Sequence, residues 1–348
     1  MSSTIRYLVD KNLIIPPNWL ADNIHYEVVM GSIAYGVSTD ASDYDVYGFC
    51  IPPKSIVFPH LDGQIEGFGR QKQRFDQYQQ HHILCQEDLG GRGRNYDLSI
   101  YSIIKYFQLC MDNNPNMVDS LFVPINCILH STQIGQLVRE NRKLFLHKGC
   151  FQKFKGYAYS QLSKASNVAN NHLILKLREY ESKHSISHTT TLQEAELLFQ
   201  QNTVDQLYID SFRQGVNESK RFESQKIYNT DLKFLYHIVR LVDECEQILT
   251  FGDLDLQRSK EQMKAVRKGE LQEEEIKKWF NDKERQLEAL YNKENSPIPY
   301  SPPEEKIKQL LLKCLEIHYG SLDKCIVEQP KITNLLEDLT NLVVKYRK

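Results

Sequence analysis

Near residue 102 the apolar residues of this chain change their spacing, and that change limits the architectures open to it. Before that point, short β-prone runs alternate with turns. Ile24-His-Tyr-Glu-Val-Val-Met-Gly31 reads as a strand entering a tight turn, and Asp45-Val-Tyr-Gly-Phe-Cys-Ile51 as a strand stopped by Pro52-Pro53. Tyr96-Asp-Leu-Ser-Ile-Tyr101 reads as a third strand after the glycine turn Gly90-Gly-Arg-Gly93, and His82-Ile-Leu-Cys85 is a candidate fourth. The Gln-rich stretch 54–80, with Gly63, Gly67 and Gly69, reads as loop with short strands. Beyond Ser102, Ile103, Ile104, Phe107, Leu109 and Cys110 recur at helical spacing until Asn113-Asn-Pro-Asn116 breaks the pattern.

The helical period then persists. Short helical segments are predicted to about residue 150, a helical pattern from Phe151 to Tyr180, a polar loop over 181–191, and helices over 204–219 and 229–250. Residues 258–293 combine helical patterning with high charge and read as a solvated helical pair. A proline-rich connector follows from Asn295 to Pro303, and two more helices are expected to close the chain. Strands first and helices afterwards predict an α+β fold: a small mixed sheet within 1–125, then a mostly α-helical domain over 126–348 that completes a cleft with it.

The length of 348 residues allows two domains, and 41% apolar with 25% charged residues is the balance of a globular chain with a sizeable core. The net charge of -2 excludes a global basic field, so any nucleic-acid contact would come from a local patch. The eight cysteines form no CxxC pair and no zinc-ligand spacing, which suits reduced thiols; His81-His82 with Cys85 lacks a complementary pair for a metal corner. The segment Met1–Leu20 carries Arg6, Asp10 and Lys11 and has no clean apolar centre, so it does not read as a signal peptide. No apolar run approaches the roughly 18 residues of a membrane span. The cytoplasm is the expected compartment, and no membrane partner is expected.

The stretch from Val29 to Gly48 carries the chemistry. Asp43 and Asp45 stand two apart at the head of a strand, where alternate residues share a face. Two carboxylates so placed, roughly 6–7 Å apart along the strand, can both reach a divalent cation. Mg²⁺ takes oxygen ligands and is usually held by one or two carboxylates together with substrate phosphates. Gly31 lets backbone approach a ligand closely, and Ser32 adds a hydroxyl beside N–H groups that can cradle phosphate oxygens. Gly36 adds a second flexible point, and Ser42 can bond a phosphate or cap the turn. A hairpin would bring the glycine-serine corner onto the acidic pair. A third carboxylate is expected on a neighbouring strand. Asp97 is the candidate, with Glu87 and Asp88 as rivals.

The run from Gly31-Ser32 to Ser42-Asp43-Tyr-Asp45 resembles the glycine-serine and SDxD signature of DNA polymerase β-like nucleotidyltransferases. Further segments are similar to the predicted nucleotidyltransferases of the RNA-ligase-associated (RlaP) and YcgL-type group: Lys105-Tyr-Phe-Gln-Leu109, Leu121-Phe-Val-Pro124, Asn141-Arg-Lys-Leu-Phe145, Phe154–Leu162 and Lys233–Arg240. The resemblance spans roughly residues 25–320 and implies a palm-like sheet. It implies that the corner holds NTP phosphates, ATP among them, and that Asp43, Asp45 and Asp97 bind Mg²⁺ or Mn²⁺. NMP would move to a hydroxyl acceptor with loss of pyrophosphate. The RNA-ligase-associated group points to an RNA end, as in RNA or tRNA repair. A small molecule or a protein side chain also fits as acceptor, and a non-catalytic nucleotide or RNA sensor is the competing class.

Lys233, His237 and Arg240, spaced four and three apart, share one helical face that could grip the triphosphate; a solvated face is the ordinary alternative. Lys155, Tyr157 and Gln161 form a similar set. Arg92 and Arg94 could touch phosphates; Asn113-Asn-Pro-Asn116 reads as a helix stop with Asn caps, with base recognition as the alternative.

Overall fold

The computed structural model describes residues 3–38, 42–58, 68–69, 74–219, 221–271 and 273–320. Gly63, Gly67, Cys325 and the second closing helix fall outside the described residues. Five strands form one sheet: β1 (Ile24–Val29), β2 (Tyr44–Cys50), β3 (Gln77–Cys85), β4 (Arg94–Ser102) and β5 (Ile128–Ser131), in the order β3-β4-β2-β1-β5. β2 and β4 run parallel and the other neighbours antiparallel, so the sheet is mixed.

Alternation along the strands divides the sheet into two faces. Val46 and Cys50 on β2 and Tyr96, Leu98 and Ile100 on β4 pack with Ile5 and Leu8 of α1 (Thr4–Asp10) in one apolar cluster. The residues between them, Asp45, Tyr47 and Phe49 on β2 and Asp97, Ser99 and Tyr101 on β4, belong to the opposite face. There Tyr26, Val28 and Phe49 join the main core. One-turn helices follow the first strands: α2 (Gly31–Ala34), α3 (Lys54–Val57) and α4 (Asp88–Gly91).

Ser102 explains the change of period at the end of β4. Its side chain accepts the Lys105 N–H at 3.2 Å, capping α5 (Ile103–Met111) and ending the strand in one residue. Asn114 then caps α6 (Pro115–Phe122), with proline at the first helical position, so the Asn-Asn-Pro break begins a new helix. Next come α7 (Gln133–Glu140), α8 (Cys150–Ser166), α9 (His172–Lys183), α10 (Leu192–Gln200), α11 (Gln206–Glu218), α12 (Phe222–Tyr228), α13 (Leu232–Phe251), α14 (Lys260–Arg267), α15 (Glu273–Asn292) and α16 (Glu304–Tyr319). Helix α13 is the hub: thirteen of its residues are buried, and it packs on α8, α14 and α15. Helices α9 to α12 close around a separate cluster that includes Ile174, Tyr208, Phe212 and Phe222.

Three expectations from the sequence are corrected. Residues 128–131 form β5, pairing with β1 where only short helical segments were expected; four residues carry too little period to distinguish the two. The helical stretch 151–180 is interrupted, because Asn171 accepts the Leu173 N–H and starts α9 afresh. The charged run 258–293 is not merely solvated: Met263, Val266, Ile276, Phe280 and Leu287 are buried in the main core. Among the described residues the cysteines are free and buried, and no helix is long and apolar enough to cross a membrane.

Glu27 is fully buried beneath α1, accepting the N–H groups of Thr4 (2.5 Å) and Ile5 (3.2 Å). Burial pushes its carboxyl up from an ordinary 4.5 to about 7, against the pull of those backbone bonds. An unfolded chain loses this proton near 4.5, so the stabilisation is complete below that value and falls as pH rises through about 7. In denaturant titrations, wild type should therefore lose stability relative to Glu27→Gln as pH rises from about 4.5 to about 7, with no further relative loss above that.

Candidate active site

The site starts where β1 leaves the sheet. The Met30 N–H donates to the Asp45 carbonyl at 2.7 Å, so β1 and β2 remain joined up to the corner. Gly31 then adopts φ +64°, and a Cβ at this position would lie 2.0 Å from Asp45 Oδ2. Only glycine lets the Gly31-Ser32 corner press against that carboxylate. Asp45 on β2 and Asp97 on β4 are direct partners in the parallel register. Asp43 immediately precedes β2, and all three acids line one cleft of about 480 Å³ together with Gly31, Ser32 and Ser42. The hairpin-like closure expected from the sequence is therefore present, with α2 as its turn.

The bulge in β3 fixes Asp97. Pairing with β4 slips between Gln80 and Ile83, and His82 takes φ 56°. This turns the His82 N–H onto Asp97 Oδ1 at 2.7 Å, with His81 Nδ1 3.6 Å from the same oxygen. The rivals lie elsewhere. Glu87 pairs with Lys11, while Asp88 accepts the hydroxyls of Tyr7 (2.6 Å) and Tyr96 (2.5 Å) beside the α1 cluster. Burial first, then the charges of Asp97 and Asp43, push the Asp45 carboxyl up to about 6. The donor chemistry and the shared wall suit a hard divalent cation. Among the described residues, however, no three acid, imidazole or thiol groups converge at ion-holding distance, since Asp97 is turned towards His82.

Facing the acids is a basic wall from the helical region. Arg221 and Gln225 of the α12 segment, Lys233 and His237 of α13, and Arg267 of α14 line the same cleft. Lys233 is exposed, with its backbone N–H bonded to the α13 cap Asp231 at 2.9 Å. Arg221 pairs with Asp231 at 2.5 Å, and Arg267 donates to the Val37 carbonyl. His237 Nδ1 is buried with no hydrogen-bond partner among the described residues.

Arg240 shares the face of Lys233 and His237 but is 5% exposed and already engaged. Its guanidinium donates to Asp119 at 2.7 Å, to Asn116 at 3.4 Å and to the Tyr35 hydroxyl, stacks over the Tyr35 ring, and lies 3.8 Å from Glu244. Burial raises Glu244 well above the ordinary carboxyl range and Asp119 to about 6, each opposed by the Arg240 charge. Arg240 thus braces α6 and Tyr35, the residue that ends α2, against α13 directly behind the corner. The other candidates are occupied outside the cleft: Lys155 pairs with Glu284 (3.3 Å), Tyr157 accepts from Asn114 (3.2 Å), Arg94 stacks on Tyr44 and Arg92 donates to Leu89.

The family model of RlaP, described as RNA repair pathway DNA polymerase beta family, matches residues 18–311. The chain belongs to this family. No curated protein and no solved structure matches it. RlaP membership makes the chain a DNA polymerase β-like protein of nucleotidyltransferase type.

In this RlaP chain, sequence reasoning missed Arg221, Arg267, Tyr35 and Asp119. Arg221 falls in the gap between two helical readings, and Arg267 lay hidden in the charged run. Asp119, an acid among Met117, Val118, Leu121 and Phe122, was the one visible signal of a buried ion pair. Arg240→Leu leaves Asp119 and Glu244 buried without their cation. It should cost about 3–5 kcal/mol in chemical denaturation without any nucleotide present. A loss below about 1 kcal/mol would contradict the bracing role.

Proposed function

We propose that the cleft binds an NTP and transfers its NMP to the hydroxyl of an RNA end, releasing pyrophosphate. The observation that carries this reading is the seating of the Gly31-Ser32 corner on Asp45, with Asp97 its register partner. Family membership in an RNA repair group supports RNA as the acceptor. The triphosphate lies between the corner and the wall of Lys233, His237, Arg221 and Arg267, with Ser42 at its edge. Asp43, Asp45 and Asp97 would hold Mg²⁺ or Mn²⁺, which when bound neutralises phosphate charge and favours an ionised acceptor hydroxyl.

The protein residues contribute positioning and charge. Asp97, held by the His82 N–H, orients the acceptor hydroxyl and takes its proton. Lys233 and the corner N–H groups hold the phosphates so that the hydroxyl can approach the α-phosphorus in line with the leaving group. Arg240 keeps the corner in place through Tyr35, its terminal guanidinium nitrogens being engaged by the Tyr35 hydroxyl, Asp119 and Asn116.

The test is incubation with α-labelled NTP, Mg²⁺ and total RNA. Wild type should label RNA. Asp43→Asn, Asp45→Asn and Asp97→Asn should each lower the rate on the order of 10²–10³ or more, the scale of removing one preorganised electrostatic group, with thermal stability retained. Label that enters protein instead would replace the RNA acceptor. Nucleotide binding with no transfer to any acceptor would replace the enzyme with a sensor.

A further inference from the structure

His237 stands out in the cleft, resting on the reading above that a triphosphate binds there. The arginines of the basic wall have roles in holding the fold: Arg240 with Asp119, Arg221 with Asp231, Arg267 with the Val37 carbonyl. The His237 Nδ1 has none; it is buried, lacks a hydrogen-bond partner among the described residues, and belongs to a ring on the cleft lining. Leaving such an atom unpaired costs stability unless a ligand completes it.

The groups around it agree in sign. Lys233 and Arg240 flank it on α13, Arg267 reaches it from α14 and Arg221 from the α12 segment, while Tyr236 stacks beside it. Among the acids of this region, Asp231 pairs with Arg221 and Gln225, Asp119 and Glu244 face Arg240, and Asp43, Asp45 and Asp97 line the acidic wall of the same cleft, where the charge of Lys233 opposes the rise of Asp45. Burial, then the charges of Arg240, Lys233, Arg267 and Arg221, hold the imidazole well below its ordinary 6.5. A polyphosphate entering the cleft reverses the sign of that field and offers an acceptor oxygen.

We propose that His237 is the proton-coupled contact of the polyphosphate site: neutral without ligand, it takes one proton from solvent as a polyphosphate binds and donates Nδ1–H to a phosphate oxygen. No covalent bond changes; the proton moves from water or buffer to the imidazole, and one N–H···O hydrogen bond forms.

Calorimetric titration of the full chain with inorganic tripolyphosphate near pH 7.5, in buffers of different ionisation enthalpy, counts the protons taken up. Wild type should take up more than His237→Asn by about one proton per ligand, while Lys233→Gln should bind more weakly yet keep the uptake. The ligand's own titration, and any change at Asp45, is common to wild type and His237→Asn and cancels in the difference between those two. Equal uptake in wild type and His237→Asn would overturn the role of His237 and leave the triphosphate cleft intact. Failure of tripolyphosphate to bind wild type would overturn both. If His237→Asn does not fold, ¹⁵N-histidine spectra of wild type decide: one imidazole must pass from neutral to protonated on adding tripolyphosphate, and no such change would reject the proposal.

Discussion

The site depends on the contact between a residue without a side chain and a carboxylate. Gly31 at φ +64° lets the chain turn out of β1 directly against Asp45, where any Cβ would collide with Oδ2. The contact sets the distance between the phosphate-facing corner and the acidic strand at van der Waals range, and strand pairing extends it to Asp97. Bringing these acids together is unfavourable by itself, as the raised Asp45 carboxyl records. The fold tolerates the repulsion because neighbouring strands fix the backbones and the His82 N–H stabilises the Asp97 charge.

The corner is also held from behind. The Tyr35 hydroxyl meets Arg240, the Ala34 carbonyl accepts Gln257 Nε2 at 3.0 Å, and the Val37 carbonyl accepts Arg267. These three side chains come from the helical region, 205 to 230 residues further along the chain. A short segment between two strands is thereby rigidified by side chains that only the complete fold delivers. One face of the sheet and helix α13 share a core, since the apolar cluster of α13 is continuous with Tyr26, Val28 and Phe49 of the sheet.

What the sequence revealed follows from the range of each interaction. The glycine-serine corner, the DxD pair and Asp97 were legible because strand alternation and parallel register are short-range rules. The strands around them were legible for the same reason. The mixed sheet followed by helices was legible from one change of period. Arg221 and Arg267 were not, because nothing within a few residues of either marks it as facing a cleft; their positions are set by the packing of α12 and α14 on α13. Arg240 shows the converse. Its helical spacing from Lys233 and His237 was read correctly, yet spacing gives the face and not the partner. Asp119, 121 residues away, accepts from the Arg240 Nη1 and ties it into the fold.

That difference gives the basic wall a division of labour. An arginine held beside buried carboxylates is committed to the fold, where it supplies stiffness. Lys233 is exposed on a flexible stem and adds an available point charge. On the proposed reading, affinity for phosphate then resides in Lys233, His237 and the corner N–H groups, while orientation resides in the Arg240 brace. Charge-neutral substitutions in these two sets should separate: one weakens binding without loosening the fold, the other loosens the fold whether or not a ligand is present. The separation arises because Arg240 is tied to Asp119 and the Tyr35 hydroxyl within the fold, whereas the His237 Nδ1, on a cleft-lining residue, has no hydrogen-bond partner among the described residues.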